Sequence, residues 1–295
     1  MNRVTAMLMI FTAAFFWGSG NVANKTVLQD VGPLTAVSIR CLIATLVVLP
    51  WSLAELQPAR APDWGRKVMG VSVLFGAALA LQQMAYLTAT VTNASFLVNT
   101  CSILTPILAW VWFGESPSVR IICAAAVTLS GAFFMTGGSF SVALMTQGDV
   151  LCLLSAAFYA AWMVALGQLV MAHGRPFATC LMQFALTGII LLPIALWAED
   201  PTLPRVLRAA PELLVLGFFS TGIAFVLLTR AQQAVSSSTA AVIVSAESLF
   251  GAAGAYFLLG EVTPAMGVFG AALILTGIII AAIGARITAP ARQSG

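Results

Sequence analysis

Apolar residues run along this chain in long blocks separated by short polar breaks. About 20 consecutive apolar residues make a helix long enough to cross the hydrocarbon core of a bilayer. Ten such spans are predicted, at roughly 4–27, 34–54, 67–88, 92–113, 119–137, 147–171, 177–198, 210–230, 237–259 and 264–285. The pattern also repeats. Shifting residues 10–50 by 143 lays Ala13-Ala14-Phe15 on Ala156-Ala157-Phe158, Pro33 on Pro176 and Pro50 on Pro193. Shifting residues 74–131 by 146 lays Gly76 on Gly222, Gly114-Glu115 on Gly260-Glu261 and Gly131 on Gly277. An odd number of spans per copy makes the second copy enter the bilayer the opposite way up. Inverted repeats of this kind place a site near the midplane between the halves, the arrangement of a carrier.

The expected fold class is therefore an all-α integral membrane protein: ten transmembrane helices as two inverted five-helix repeats around a central cavity. Residues 1–140 form the first repeat, 145–287 the second, and 288–295 a cytoplasmic tail. The run Gly138-Ser139-Phe140-Ser141 marks the boundary. Composition agrees, with 60% hydrophobic residues, 8% charged residues and a mean hydropathy of +1.01. Soluble domains carry about 25% charged residues. The short connections predict that successive helices are neighbours and that each half is a compact group of five.

Charge sets the orientation. With the N-terminus in the cytoplasm, Arg3, Arg60, Arg66, Lys67, Arg120, Arg175, Arg230, Arg286 and Arg292 lie inside, and Lys25, Arg205 and Arg208 lie outside. The net charge of +3 then reports topology and not nucleic-acid binding. Both termini are expected in the cytoplasm. The first apolar run is too long for a signal-peptide core and reads as a retained helix. Cys41, Cys101, Cys123, Cys152 and Cys180 all fall within spans without metal-ligand spacing, and read as packing residues.

Enzymatic motifs are lacking. The one histidine, His173, falls in a predicted loop. There is no zinc-protease helix motif, no pair of intramembrane aspartates and no phosphate-cradling loop, so no cofactor is expected. Gly270, Gly277 and Gly284 recur every seven residues, and Gly131 is the repeat mate of Gly277. Such a face admits a second backbone, read here as packing within each half, with a homodimer contact as the alternative.

Ionisable and amide side chains deep in apolar spans are costly and point to a wet interior. Glu247 lies mid-span and reads either as a structural carboxyl or as a cavity group that meets an amine or a proton. Arg40 reads as structural, snorkelling or capping, with anion sensing as the alternative. Polar and aromatic stripes recur at helical spacing: Trp17, Asn21, Asn24 and Lys25; then Phe75, Leu79, Gln82 and Tyr86, with Gln83 adjacent. Ser95, Asn99, Ser102 and Pro106 form the next stripe, followed by Ser155, Tyr159 and Trp162. The repeat offset adds Thr221, Phe225, Gln232, Ser245 and Ser248. From these, Trp17, Asn21, Gln82, Tyr86, Asn99, Tyr159, Trp162 and Glu247 are the candidate cavity residues. Pro106 is a candidate kink.

Trp17-Gly18-Ser19 followed by Lys25, Pro33 and Arg40 is similar to the opening of EamA-type transporters of the drug/metabolite transporter superfamily. Phe113-Gly114-Glu115-Ser116-Pro117 resembles that repeat's signature at its fourth helix end. Leu259-Gly260-Glu261 and Gly270–Gly277 resemble it in the second copy. Glu247 stands where the family often has Glu-Pro, and Ser248 replaces the proline. The resemblance covers nearly the whole chain. It implies two inverted five-helix repeats, a central cavity and secondary transport, most like that of YddG-type amino-acid exporters of aromatic or broad specificity. The expected protein is a bacterial inner-membrane exporter whose substrate partners are amino acids and whose solvent is the lipid bilayer. An exporter of hydrophobic cations, drugs or other metabolites is the alternative, as is a passive facilitator.

Overall fold

A computed structural model describes residues 1–55, 63–136, 145–259 and 265–284. Arg60, Gly138–Ser141, Gly260-Glu261, Arg286, Arg292 and the 288–295 tail lie outside the described residues. Among those described, the chain is all helix. The elements are α1 (Arg3–Thr26), α2 (Pro33–Ser52), α3 (Trp64–Ala85), α4 (Val91–Val98), α5 (Cys101–Phe113), α6 (Val119–Met135) and α7 (Gln147–His173). After these come α8 (Pro176–Glu199), α9 (Leu203–Arg208), α10 (Ala210–Leu214), a π segment (Val215–Ile223), α11 (Ala224–Ala231), α12 (Ser237–Val244), α13 (Glu247–Leu259) and α14 (Ala265–Gly284). Among the described residues, eight stretches are long and apolar enough to cross a membrane, and Val119–Met135 is a shorter apolar helix.

The helix ends follow local chemistry. Asn2, Thr90, Ser118, Thr146 and Ser236 each accept a backbone N–H of the first turn, and Thr146 with Asp149 completes a capping box. Each such cap stabilises its helix by about 1 kcal/mol. Pro33 and Pro176 open α2 and α8, where no intrahelical N–H is needed. Gly114 and Gly174 end α5 and α7 in the left-handed region, which only glycine enters without cost. Beyond Gly114, the Glu115 carboxylate accepts from Gln168 Nε2 at 2.5 Å, tying that helix end to α7. Burial pushes the Glu115 carboxyl above its ordinary value, against the effect of that bond.

Two expected spans are broken. The fourth is interrupted at Asn99–Thr100 and the ninth at Ser245–Ala246, positions that the 146-residue offset superposes. At both breaks the hydrogen bonds tighten to an i→i−3 pattern: Ser102 N to Asn99 O and Ile103 N to Thr100 O, then Ser248 N to Ser245 O and Leu249 N to Ala246 O. Such 3₁₀ turns inside an α-helix often mark functional positions. The first break lies upstream of Pro106, and α5 runs on through that proline. Pro106 leaves the Ser102 carbonyl, just downstream of the break, without its helical donor. The second break forms with Ser248 in place of a proline.

The bundle turns its polar side chains inward. Asn21, Arg40, Gln83, Asn99, Gln183 and Gln232 are buried, while Leu8, Val119, Ile189, Ile283 and the tryptophans 51, 110, 112 and 197 are exposed. That distribution inverts the soluble pattern and suits a lipid surround, with tryptophans at helix ends where headgroups lie.

The halves are not separate groups of five, as the short loops led us to expect. The most extensive packing runs between them: α6 on α14, α2 on α8, α3 on α7, and α1 on α13 and α11. Small residues explain why. A Cβ on Gly131 would fall 2.5 Å from the Gly270 carbonyl, and one on Gly277 would lie 2.7 Å from the Ala124 carbonyl. The glycine face therefore packs across the halves, with α6 and α14 antiparallel. The α2–α8 pair is antiparallel too, and each helix is capped by the other's end. Glu199 accepts from Leu34 N and Thr35 N, both at 2.8 Å, and Glu55 accepts from Ala178 N at 2.9 Å. A carboxylate at a helix N-terminus also favours the helix dipole. Burial nevertheless pushes the Glu55 carboxyl up, with the backbone bonds from Ala178 and Phe177 opposing it.

Candidate functional site

The two broken helices meet at a cavity. Val98 and Cys101 flank the first break, Val244 and Glu247 flank the second, and all four line it. Glu247 is the first residue of α13, so the positive end of that helix helps its carboxyl sit within the span. Gly18 brings α1 against this point, since a Cβ there would collide with the Glu247 carbonyl oxygen and the Gly251 nitrogen. The close approach puts Asn21 beside the Glu247 carboxylate.

One wall is polar and centred on Asn21. Its Nδ2 donates to Glu247 Oε1 at 3.0 Å and to Ser95 Oγ at 3.4 Å. Its Oδ1 accepts from Tyr86 Oη at 3.1 Å and from Asn24 Nδ2 at 3.5 Å. Asn24 Oδ1 in turn accepts from a terminal nitrogen of Arg40 at 2.8 Å. Arg40 also donates to Thr221 Oγ1 at 2.7 Å and to Ser220 Oγ at 3.1 Å. A carboxylate and a guanidinium thus occupy one cavity, joined by two amides.

The other wall is aromatic. Phe225 sits at its centre, 4.8 Å from the Trp17 ring, 5.5 Å from Trp162 and 4.9 Å from Phe75 between centroids. Trp17 Nε1 donates to the Ser220 carbonyl at 2.8 Å, in the π segment, and Trp162 Nε1 donates to Gln183 Oε1 at 2.9 Å. Tyr159 Oη donates to Gln82 Oε1 at 2.8 Å. Each polar tip has a partner, so the ring faces are left to line the space. The cavity volume is about 50 Å³. That holds a few waters but falls well short of the roughly 150 Å³ that admits benzene.

Of the eight residues singled out from sequence, Trp17, Asn21, Gln82, Tyr159, Trp162 and Glu247 line this cavity together. Tyr86 and Asn99 are not among its lining residues. Tyr86 is buried behind Asn21, whose Oδ1 accepts the hydrogen bond from its hydroxyl. Asn99 is buried between the breaks, where its amide donates to Ser248 Oγ and ties one broken helix to the other. Lys25, from the same stripe as Asn21, instead donates to the Tyr86 and Ala89 carbonyls at the end of α3.

The sequence profile of the EamA-like transporter family matches residues 4–137 and 146–283, nearly all of both helical blocks. The chain belongs to the EamA-like transporter family. It is 27% identical over 290 residues to an uncharacterized transporter of Archaeoglobus fulgidus, covering 96% of this chain and 87% of that one. It is 23% identical over 280 residues to the uncharacterized transporter YwfM of Bacillus subtilis, covering 92% of each. A solved crystal structure shares the fold, with a TM-score of 0.77 at 18% identity over 96% of this chain and 98% of that one. The relatives are named transporters, in keeping with a membrane transporter and not an enzyme.

Several lining residues of this EamA transporter were missed by sequence reasoning. Asn24 shares the stripe of Asn21, and Arg40 was weighed mainly as a snorkelling or capping residue; their depth was the signal for both. Arg40 is in fact only 2% exposed and bonds to side chains from α1 and the π segment. Leu79, from the stripe of Gln82, lines the cavity too, as do Met163, Leu228 and Val244, and nothing in the identity of those three separates them from residues that face lipid.

Proposed function

We propose that this EamA transporter exports amino acids, of aromatic or broad specificity, across a bacterial inner membrane by alternating access. The observation that carries the reading is the two-sided cavity at the meeting of the breaks. Asn21, Gln82 and Glu247 offer polar partners on one side, and Trp17, Tyr159, Trp162 and Phe225 offer ring faces on the other. An amino acid has a charged head and a side chain that divide in the same way. Tyr86 and Asn99 act from behind, holding Asn21 and the broken helices in place.

The architecture proposed is ten transmembrane helices in two inverted repeats, 1–140 and 145–287, with both termini and the 288–295 tail in the cytoplasm. The antiparallel packing of α2 on α8 and of α6 on α14 supports inversion, because each pair consists of repeat mates. The reciprocal caps by Glu199 and Glu55 support it in the same way. A cavity of about 50 Å³ is too small for an aromatic amino acid. Loading therefore requires the half-helices to part, and the 3₁₀ turns at Asn99–Thr100 and Ser245–Ala246 are the places where they bend.

The test is counterflow. Purified protein in liposomes preloaded with unlabelled phenylalanine, methionine, leucine or threonine is expected to draw in the labelled amino acid against its gradient. Saturable counterflow establishes a carrier for amino acids. Flux without exchange stimulation identifies a passive facilitator, and no amino-acid flux from folded, inserted protein removes the proposal.

A further inference from the structure

We infer that Arg40 is the carboxylate-reading residue of this cavity, so that with Glu247 the transporter selects molecules carrying both an ammonium and a carboxylate. The inference rests on the amino-acid reading above and deepens it: it makes net charge and charge pairing, not only side-chain fit, the basis of selection.

The guanidinium is buried and lines the cavity, yet it has no counter-ion. Among the described residues the ion pairs are Lys67–Asp63 and Arg208–Asp30, neither of them near the site. All three partners of Arg40, Thr221, Asn24 and Ser220, are neutral. An uncompensated charge within a span is expensive and marks a functional position unless something satisfies it. A guanidinium has five N–H donors, and three are used here. One N–H on each terminal nitrogen remains to donate to a ligand carboxylate, the group that guanidinium recognises best.

Glu247 is in the same position with the opposite sign. Its carboxylate accepts from Asn21 and has no cation beside it among the described residues. The two charges are joined only through Asn24 and Asn21, and the 3.5 Å bond between those amides is the longest of the three that link them. They do not neutralise each other by contact. A monocation entering the cavity would meet Arg40 as well as Glu247, and a monoanion would meet Glu247 as well as Arg40. A zwitterion pairs both. Its ammonium takes the place beside Glu247 and Asn21, and its carboxylate accepts from Arg40.

The experiment uses the full-length transporter in proteoliposomes and follows labelled phenylalanine counterflow against three competitors. These are unlabelled phenylalanine, phenethylamine, which lacks the carboxylate, and 3-phenylpropionate, which lacks the ammonium. In wild type, each singly charged analogue is expected to compete roughly ten- to hundred-fold more weakly than phenylalanine. In Arg40→Gln the preference for phenylalanine over phenethylamine should collapse towards unity, and Arg40→Lys should recover part of it. Phenylalanine counterflow with equal competition from phenethylamine overturns the role of Arg40 and leaves the amino-acid reading standing. Counterflow of no amino acid removes both. A folded Arg40→Gln that keeps the wild-type preference also overturns the inference. If that variant does not fold, the wild-type competition ratios decide.

Discussion

Replacing Gly18 with valine is expected to reduce counterflow to background and to lower the melting temperature by several degrees. The first Cβ atom alone would strike the Glu247 carbonyl oxygen, sit 2.6 Å from Phe250 Cβ and lie 2.8 Å from the Gly251 nitrogen. Two of these three neighbours are backbone atoms, so no side-chain rotation relieves the clash. Helices α1 and α13 must separate, and overpacking of this kind costs about 1–3 kcal/mol. The separation also withdraws Asn21 from Glu247, so transport suffers beyond what the loss of stability explains. Gly254 is the matched control, because a Cβ there meets nothing within 4 Å. Gly254→Ala should transport and melt like wild type. Counterflow at the wild-type rate in Gly18→Val would show that the α1–α13 crossing does not hold the site.

Asn21→Leu is expected to slow transport about a hundred-fold while leaving a folded protein. Leucine fills a similar volume but can neither donate nor accept. The change strips the Glu247 carboxylate of its one side-chain donor, and it leaves the Tyr86 hydroxyl and the Asn24 amide without their acceptor. Each orphaned buried group costs about 1–3 kcal/mol, and a charged one more. The relay from Arg40 to Glu247 is cut at the same time. Ser95→Ala removes only the longer 3.4 Å bond to Asn21 and should cost far less. Initial rates of counterflow, normalised to inserted protein, separate the two. Equal rates in Asn21→Leu and wild type would exclude Asn21 from the site.

The extent of the helices was legible in the apolar blocks because hydrocarbon thickness dictates their length. Span 34–54 became Pro33–Ser52, span 147–171 became Gln147–His173, and span 177–198 became Pro176–Glu199. The interruptions at Asn99–Thr100 and Ser245–Ala246 were not legible. Neither carries a proline or glycine, and hydropathy does not sense a change from i→i−4 to i→i−3 bonding. The partnership of helices was also hidden. Loop length says which elements are joined, whereas the fit of Gly131 to Gly270 and of Gly18 to Gly251 decides which ones touch. At the site, Asn21 and Glu247 stood out because polar groups in apolar runs are rare and costly. Tyr86 and Asn99 stood out for the same reason and proved to sit behind the lining. Helical spacing gives the face a residue occupies, but not whether a cavity or a neighbouring helix meets that face.

The central claim is that substrate occupies the cavity between the two breaks, and Val98, beside the first of them, reports on it directly. Val98→Cys, in a protein whose native cysteines are replaced, places a thiol on the cavity wall. We would measure its rate of labelling by a small thiol reagent in proteoliposomes with and without saturating phenylalanine. The account predicts protection, with half-protection at the concentration that half-saturates counterflow. Labelling unchanged by phenylalanine, in protein that still catalyses phenylalanine counterflow, would place the substrate elsewhere and contradict it.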